Sequence, residues 1–271
     1  MKIQWESSGV TVFESSLYRT TSSIIGFDTS VIIVDPNWLP NEIETLQHFV
    51  SKNHTGKKQF LLFTHSDYDH IIGYGAFPSA QVIASELFVK NKLKNKILNR
   101  IYDFDNEYYI TRPYPISYPD VDIIITTSGQ KVNIDGHEII FFLSPGHTED
   151  GIFTIIPTKN CWIAGDYLSN IEIPFIDFDI DEYEQTLTSA LRINEDFKNV
   201  DLLIPGHGDI ANSNHSIKTR IKNDLHYIEL LKKSVFEPSI EVQSEAYNHI
   251  INYSANPTLQ TAHQKNIQKL K

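Results

Sequence analysis

Residues 60–73 read FLLFTHSDYDHIIG, and within that stretch stand His65, Ser66, Asp67, Asp69 and His70. Imidazole and carboxylate are the side chains from which proteins build sites for divalent cations. His65 and Asp67 are two apart, so in extended chain they point the same way. Asp69 and His70 are adjacent and must diverge, and they serve a second point in space if the chain turns into a helix there. This spacing suits two metal ions side by side rather than one. Three more apolar runs end in a polar turn: FFLSPGHTEDG offers His147, CWIAGDYL offers Asp166 and LLIPGHGD offers His207. Strand ends at one sheet edge are where α/β folds place their sites. Gly146, Gly165, Gly206 and Gly208 beside these donors permit tight turns.

The elements that must position these donors are legible as texture. The first 35 residues read as strands, with LYRTTSSIIGF and SVIIVDP as β-branched runs about the DTS break. PNEIETLQHFVSK has helical spacing and starts at Pro40 and Asn41. KKQFLLFTH and AQVIAS are short strands. A basic helix is expected from Glu86 to about Asp105, presenting a solvated face. Residues 102–120, rich in Tyr, Pro and Asp, read as a long loop of the kind that forms lids. KVNIDGHEIIFFLS is a hairpin turning at Asp135-Gly136, and GIFTIIPTKNCWIAGD is a second one. DEYEQTLTSALRINEDF is an amphipathic helix, and helices follow NSNHS. Mixed strands and helices in this order predict an α/β layered sandwich in a single domain spanning residues 1–271.

Composition bounds the function. An apolar content of 41% and a charged content of 21% describe an ordinary globular chain. A formal net charge of -11 argues against a nucleic-acid partner and suits bound cations. The single cysteine, Cys161, leaves no internal disulfide and no Cys-type zinc site, and is expected as a packed core thiol. No segment approaches the roughly 20 apolar residues that span a bilayer, and the N-terminus lacks a signal-type stretch. The expectation is a soluble cytoplasmic protein with no membrane association.

THSDYDH, SPGHTEDG, AGDYL and PGHG, in that order over roughly residues 10–210, resemble the motifs of the metallo-β-lactamase fold superfamily of metal-dependent hydrolases. The resemblance implies a four-layer αββα sandwich with its site at one edge, here with a helical C-terminal extension over residues 214–271 that either caps the fold or pairs with a second copy as a homodimer. It also implies two divalent metal ions. His65, Asp67 and His147 match the ligands of the first, Asp69, His70 and His207 those of the second, and Asp166 the carboxylate that bridges them. The family pattern has histidine where this chain has Asp67, giving HxDxDH in place of HxHxDH. The family implies zinc. The added carboxylate lowers the residual charge of the pair and shifts preference towards iron or manganese. Flavodiiron proteins also carry a carboxylate here, but this chain lacks their flavodoxin module.

In such a site a metal-bridging hydroxide attacks the substrate, with Asp69 orienting it and shuttling its proton. The expected function is hydrolysis of a small ester, lactone or thioester. The alternatives are a small-molecule phosphodiesterase and a non-hydrolytic di-iron oxidase or oxygen-binding protein. Tyr167 and Tyr183 are candidate oxyanion donors, Trp38 is a candidate cleft wall, and Arg112 a candidate contact from the closing 102–120 loop. The remaining histidines, His263 among them, read as surface residues.

Overall fold

Twelve strands and eight α-helices make up the described residues of the computed structural model, which are 1–253 and 257–270. The first sheet takes β1 (Lys2–Ser7), β2 (Val10–Glu14), β3 (Thr21–Gly26), β4 (Ser30–Val34), β5 (Lys58–Leu62), β6 (Gln81–Ser85) and β7 (Ile123–Ile125) in sequence order. Its first four strands form an antiparallel meander, and β4 to β7 run parallel. The second sheet has the order β12 (Leu202–Pro205), β11 (Cys161–Gly165), β10 (Ile152–Ile156), β9 (His137–Leu143) and β8 (Gln130–Ile134). It is antiparallel except for the β11–β12 pair.

Strand side chains alternate between faces, and here both faces are apolar because both are covered. Ile32 and Val34 of β4 join Phe60 and Leu62 of β5 in the layer between the sheets, where they meet Phe141, Ile152, Cys161, Ile163 and Ile204 from the second sheet. Val31, Ile33 and Leu61 face the other way, towards α1 (Pro40–Asn53), α3 (Glu86–Lys90) and α4 (Lys94–Glu107), through Ile43, Leu46, Phe88, Ile97 and Ile101. Phe153, Ile155, Trp162 and Leu203 face α5 (Ile180–Asp196) and α6 (Asn214–Phe236), with α7 (Ile240–Tyr253) and α8 (Pro257–Lys269) packed beyond. The result is the expected αββα sandwich with C-terminal helices. Positions 254–256 and 271 of the expected extension lie outside the described residues. Among the described residues no helix is long and apolar enough to cross a membrane.

Both expected hairpins form. Asp135 (φ 60°) and Gly136 (φ 81°) take the left-handed pair that a two-residue turn requires. Cys161 is buried as expected, and burial pushes its thiol up to about 12. The helix expected from Glu86 to about Asp105 forms as two, α3 and α4, broken at 91–93, and it takes in the start of the loop expected over 102–120. Residues 102–107 continue α4, because Ile97, Ile101 and Phe104 keep a helical spacing against the α1 side of the first sheet. The remainder lies down on the body: Tyr118 Oη donates to the Phe88 carbonyl (2.9 Å), and Pro115 sits against Gly75 so closely that a Cβ there would meet its carbonyl oxygen. His263 is not on the surface either. It is buried, with its Nδ1 3.1 Å from Tyr227 Oη.

Candidate metal centre

The ends of β5, β9, β11 and β12 meet at one edge of the sandwich, and each delivers its donor within a few residues of the last strand position. His65 follows β5 and Asp166 follows β11 directly, while His147 and His207 sit on the turns after β9 and β12. The chain turns into the short helix α2 (Tyr68–Ile71) straight after Asp67, which swings Asp69 and His70 away from His65 and Asp67. Gly206 is required by close approach, since a Cβ there would lie 2.0 Å from Asp166 Oδ1. Gly146 (φ 127°) takes a backbone conformation that side chains rarely adopt and lets the His147 turn lie on the backbone of Tyr183.

The seven donors form two groups. Donor atoms of His65, Asp67, His147 and Asp166 lie within 4.8 Å of one another, as do those of Asp69, His70 and His207. Asp166 joins the two groups. Its Oδ2 is 3.6 Å from His65 Nε2, 3.3 Å from His147 Nε2 and 3.4 Å from His207 Nε2, while Oδ1 is 3.1 Å from His70 Nε2. Asp67 Oδ2 lies 3.9 Å from His65 Nε2 and 3.4 Å from His147 Nε2. Asp69 Oδ2 lies 3.6 Å from His70 Nε2 and 3.5 Å from His207 Nε2.

All four imidazoles present Nε2 to the cluster, because each Nδ1 is committed elsewhere. His70 Nδ1 donates to Asp35 Oδ2 (3.0 Å), His147 Nδ1 to the Phe175 carbonyl (2.7 Å) and His207 Nδ1 to the Tyr18 carbonyl (3.0 Å). Thr64 Oγ1 gives its proton to Asp35 Oδ2 (2.6 Å) and so accepts from His65 Nδ1 (3.0 Å). With Nδ1 protonated, each Nε2 carries a bare lone pair. The Nε2 atoms of His65, His70 and His147, with Asp166 Oδ1, are buried and carry no hydrogen bond. Buried polar atoms are rarely left so, and a pair of divalent cations would satisfy them. The donor set fits that chemistry.

The electrostatics point the same way. Burial opposes charge on the imidazoles, but the surrounding carboxylates outweigh it. They hold His70 and His147 well above the ordinary histidine range and carry His207 up to about 10, with Glu172 the largest contributor at His207. His65 is lowered instead, by its burial and by the neighbouring His70. The Asp67 carboxyl is held well below the usual range because His147 and His65 outweigh its burial. A site that draws protons this strongly draws cations, and the two compete.

Four sequence-expected contacts stand elsewhere. Tyr167 Oη accepts from His147 N–H (3.0 Å) and donates to the Pro145 carbonyl (2.7 Å), so its one proton is spent on holding the His147 turn. Tyr183 is fully buried and packs on Tyr167 with ring centroids 4.4 Å apart. Trp38 is buried, its Nε1 donating to Thr20 Oγ1 (2.6 Å), and it backs the rings of Tyr18 and Tyr68 instead of lining an open cleft. Arg112 is an interior clamp. It makes two 2.8 Å bonds to Asp105, one to the Trp38 carbonyl (2.7 Å) and one to Tyr114 Oη (2.9 Å). Two acidic residues carry no motif that marks them in the sequence. Asp35 supports His70 and Thr64, and its only signal is an aspartate closing the apolar strand SVIIVDP. Glu172, in DYLSNIEIP, lies 4.0 Å from His207 Nδ1. Burial raises its carboxyl against the lowering effect of His207.

The sequence profile described as the metallo-beta-lactamase superfamily matches residues 18–207. A metallo-beta-lactamase type 2 from Bacillus sp. (strain 170) is 19% identical over 229 residues, which cover 84% of this chain and 79% of that protein. Among solved structures, the inverting sec-alkylsulfatase Pisa1 from Pseudomonas sp. superposes with a TM-score of 0.69 at 13% identity over 86% of this chain. This chain spans 42% of the length of that alkylsulfatase. A metallo-beta-lactamase family protein from Thermus thermophilus gives a TM-score of 0.63 at 13% identity, covering 97% of this chain and 94% of its own. At these identities the structures establish the likeness of fold.

Proposed function

The chain belongs to the metallo-β-lactamase superfamily, and from that premise we propose that it is a metal-dependent hydrolase of small esters, lactones or thioesters. His65, Asp67 and His147 would hold one divalent ion, Asp69, His70 and His207 a second, and Asp166 would be shared. Two such ions lower the pKa of water and polarise a substrate oxygen. The observation that carries the reading is the set of Nε2 lone pairs and the Asp166 oxygen, buried, convergent and without hydrogen bonds. Asp69, whose Oδ2 lies beside His70 and His207 Nε2, would orient the attacking water and take its proton. Asp35, Phe175, Thr64 and Tyr18 fix the imidazole tautomers from behind. The family points to zinc, and the carboxylate of Asp67 points to iron or manganese. The substrate is a small molecule and the setting cytoplasmic.

Asp67 also favours a second reading. A more anionic pair holding manganese or iron suits a small phosphodiester, and iron with oxygen consumption would mark a non-hydrolytic di-iron protein. The test is metal analysis of the purified protein, followed by turnover on lactone, thioester, phosphodiester and sulfate-ester panels. Two equivalents of metal, with lactone or thioester hydrolysis abolished by chelation, are expected. Protein that takes up no added zinc, iron or manganese would overturn the reading.

A further inference from the structure

Glu172 lies on the irregular segment between β11 and α5, and that segment is buckled to the turn carrying His207. Its backbone N–H donates to Ser169 Oγ (3.2 Å), and Ser169 Oγ donates to the His207 carbonyl (2.9 Å). The side chain is left 18% exposed, with Oε1 4.0 Å from His207 Nδ1. That nitrogen already gives its proton to the Tyr18 carbonyl, so the imidazole does not satisfy the carboxylate. Among the described residues no Lys or Arg pairs with Glu172 and no side chain or backbone N–H donates to its carboxylate. The nearby cations are engaged elsewhere, Arg19 with Glu14 and Asp209, and Arg220 with the carbonyls of Leu168, Asp209 and Ile210. The carboxylate is part-buried, keeps contact with solvent and has no donor from the protein. Its position fits a partner that arrives with the substrate.

The surroundings define that partner's charge. Two divalent ions set against Asp67, Asp69 and Asp166 leave one positive charge (4 − 3), which an attacking hydroxide cancels. Glu172 adds a negative charge on the Nδ1 side of His207. It is not placed as a further ligand, because it borders the Nδ1 side of the His207 ring while Nε2 faces the cluster. Tyr18 borders the same nitrogen through its carbonyl, and its ring is 60% exposed and rests on Trp38 with centroids 5.7 Å apart. A carboxylate without a protein donor is the chemistry that recognises an ammonium group.

We propose that Glu172 binds a cationic amine on the substrate, which makes the substrate class an ester or lactone carrying an ammonium group close to the scissile bond. This rests on the hydrolase reading. The test is calorimetric binding of butyrate, 4-hydroxybutyrate and 4-aminobutyrate to metal-loaded wild type and Glu172→Gln, with metal content measured on both. The carboxylate of each probe is the group for the metal pair, and only the far end differs. Wild type is expected to bind 4-aminobutyrate about tenfold more tightly than butyrate, the scale of one favourable ion pair. Glu172→Gln should bring the three probes to within about twofold of one another, because no charge then faces the ammonium group, and keep its metal. Equal affinities in wild type, a preference that survives Glu172→Gln, or loss of metal from the variant would each overturn the inference while leaving the hydrolase reading standing. A wild type that takes up no metal removes the hydrolase reading and this inference with it.

Discussion

At the scale of single residues, the centre depends as much on what stands behind each imidazole as on the donors themselves. Asp35 accepts from His70 Nδ1 and from the N–H and hydroxyl of Thr64, and through Thr64 it also fixes His65. Asp35→Asn keeps the shape but replaces an acceptor oxygen with a donor or weakens it, so His70 loses its anionic support. Metal affinity should fall about 10–100-fold, the usual cost of losing such a partner, with the circular dichroism spectrum unchanged; competition with a chromophoric chelator measures it. Asp67→His acts at the donor itself. It removes one negative charge from the first group and should raise the zinc share, at the expense of iron and manganese, in protein grown on mixed metals and assayed by mass spectrometry. An unchanged metal profile would count against the charge argument. The seven donors are legible in the sequence because each closes an apolar strand in a short polar turn, a local pattern. Asp35 shares that local pattern but stands in none of the four motifs, and Glu172 shows no such pattern, because the meaning of both comes from contacts with residues distant in sequence.

At the scale of elements, the strands are legible because period-2 alternation and apolar runs are written locally, and the two hairpin turns carry their own residues. The end of α4 at Glu107 lies close to the expected Asp105, and what the sequence blurs is where the following loop begins. Tyr102, Asp103, Asp105 and Asn106 are weak helix formers, and tertiary packing of Ile101 and Phe104 on the first sheet overrides them. The place of Arg112 is hidden with it. On a free loop it could meet substrate, whereas its guanidinium ties α4 to the segment after it and to the Trp38 carbonyl. Its side chain is 2% exposed, against 13% for Asp105. Arg112→Ala leaves that carboxylate buried and unpaired, and should destabilise the fold by about 3–5 kcal/mol. Urea unfolding gives the number. A merely catalytic role would leave the midpoint in place and lower turnover instead.

For the molecule as a whole, the C-terminal helices matter through what they hold rather than what they cap. Their helical texture is visible in the sequence; their tie to the site is not, since it runs through long-range contacts of Arg220 and of one buried acid. Asp224 on α6 is 1% exposed and accepts from the backbone N–H of Leu168, two residues past Asp166, and from Tyr253 Oη on α7. Burial raises its carboxyl from 3.8 to about 7, against the lowering pull of both hydrogen bonds and of Arg220. Because the folded value lies above the unfolded one, the folded state binds the extra proton between them. The contribution to stability is therefore complete below pH 4 and is lost as pH rises through 7, by about 4 kcal/mol in all. An asparagine in its place mimics the protonated acid, so Asp224→Asn should match wild type near pH 4 and become progressively more stable than it towards pH 8. Urea unfolding of both proteins across that interval tests the sign as well as the size. Parallel stability curves would show that the acid stays charged in the fold and that its two donors, with Arg220, outweigh its burial.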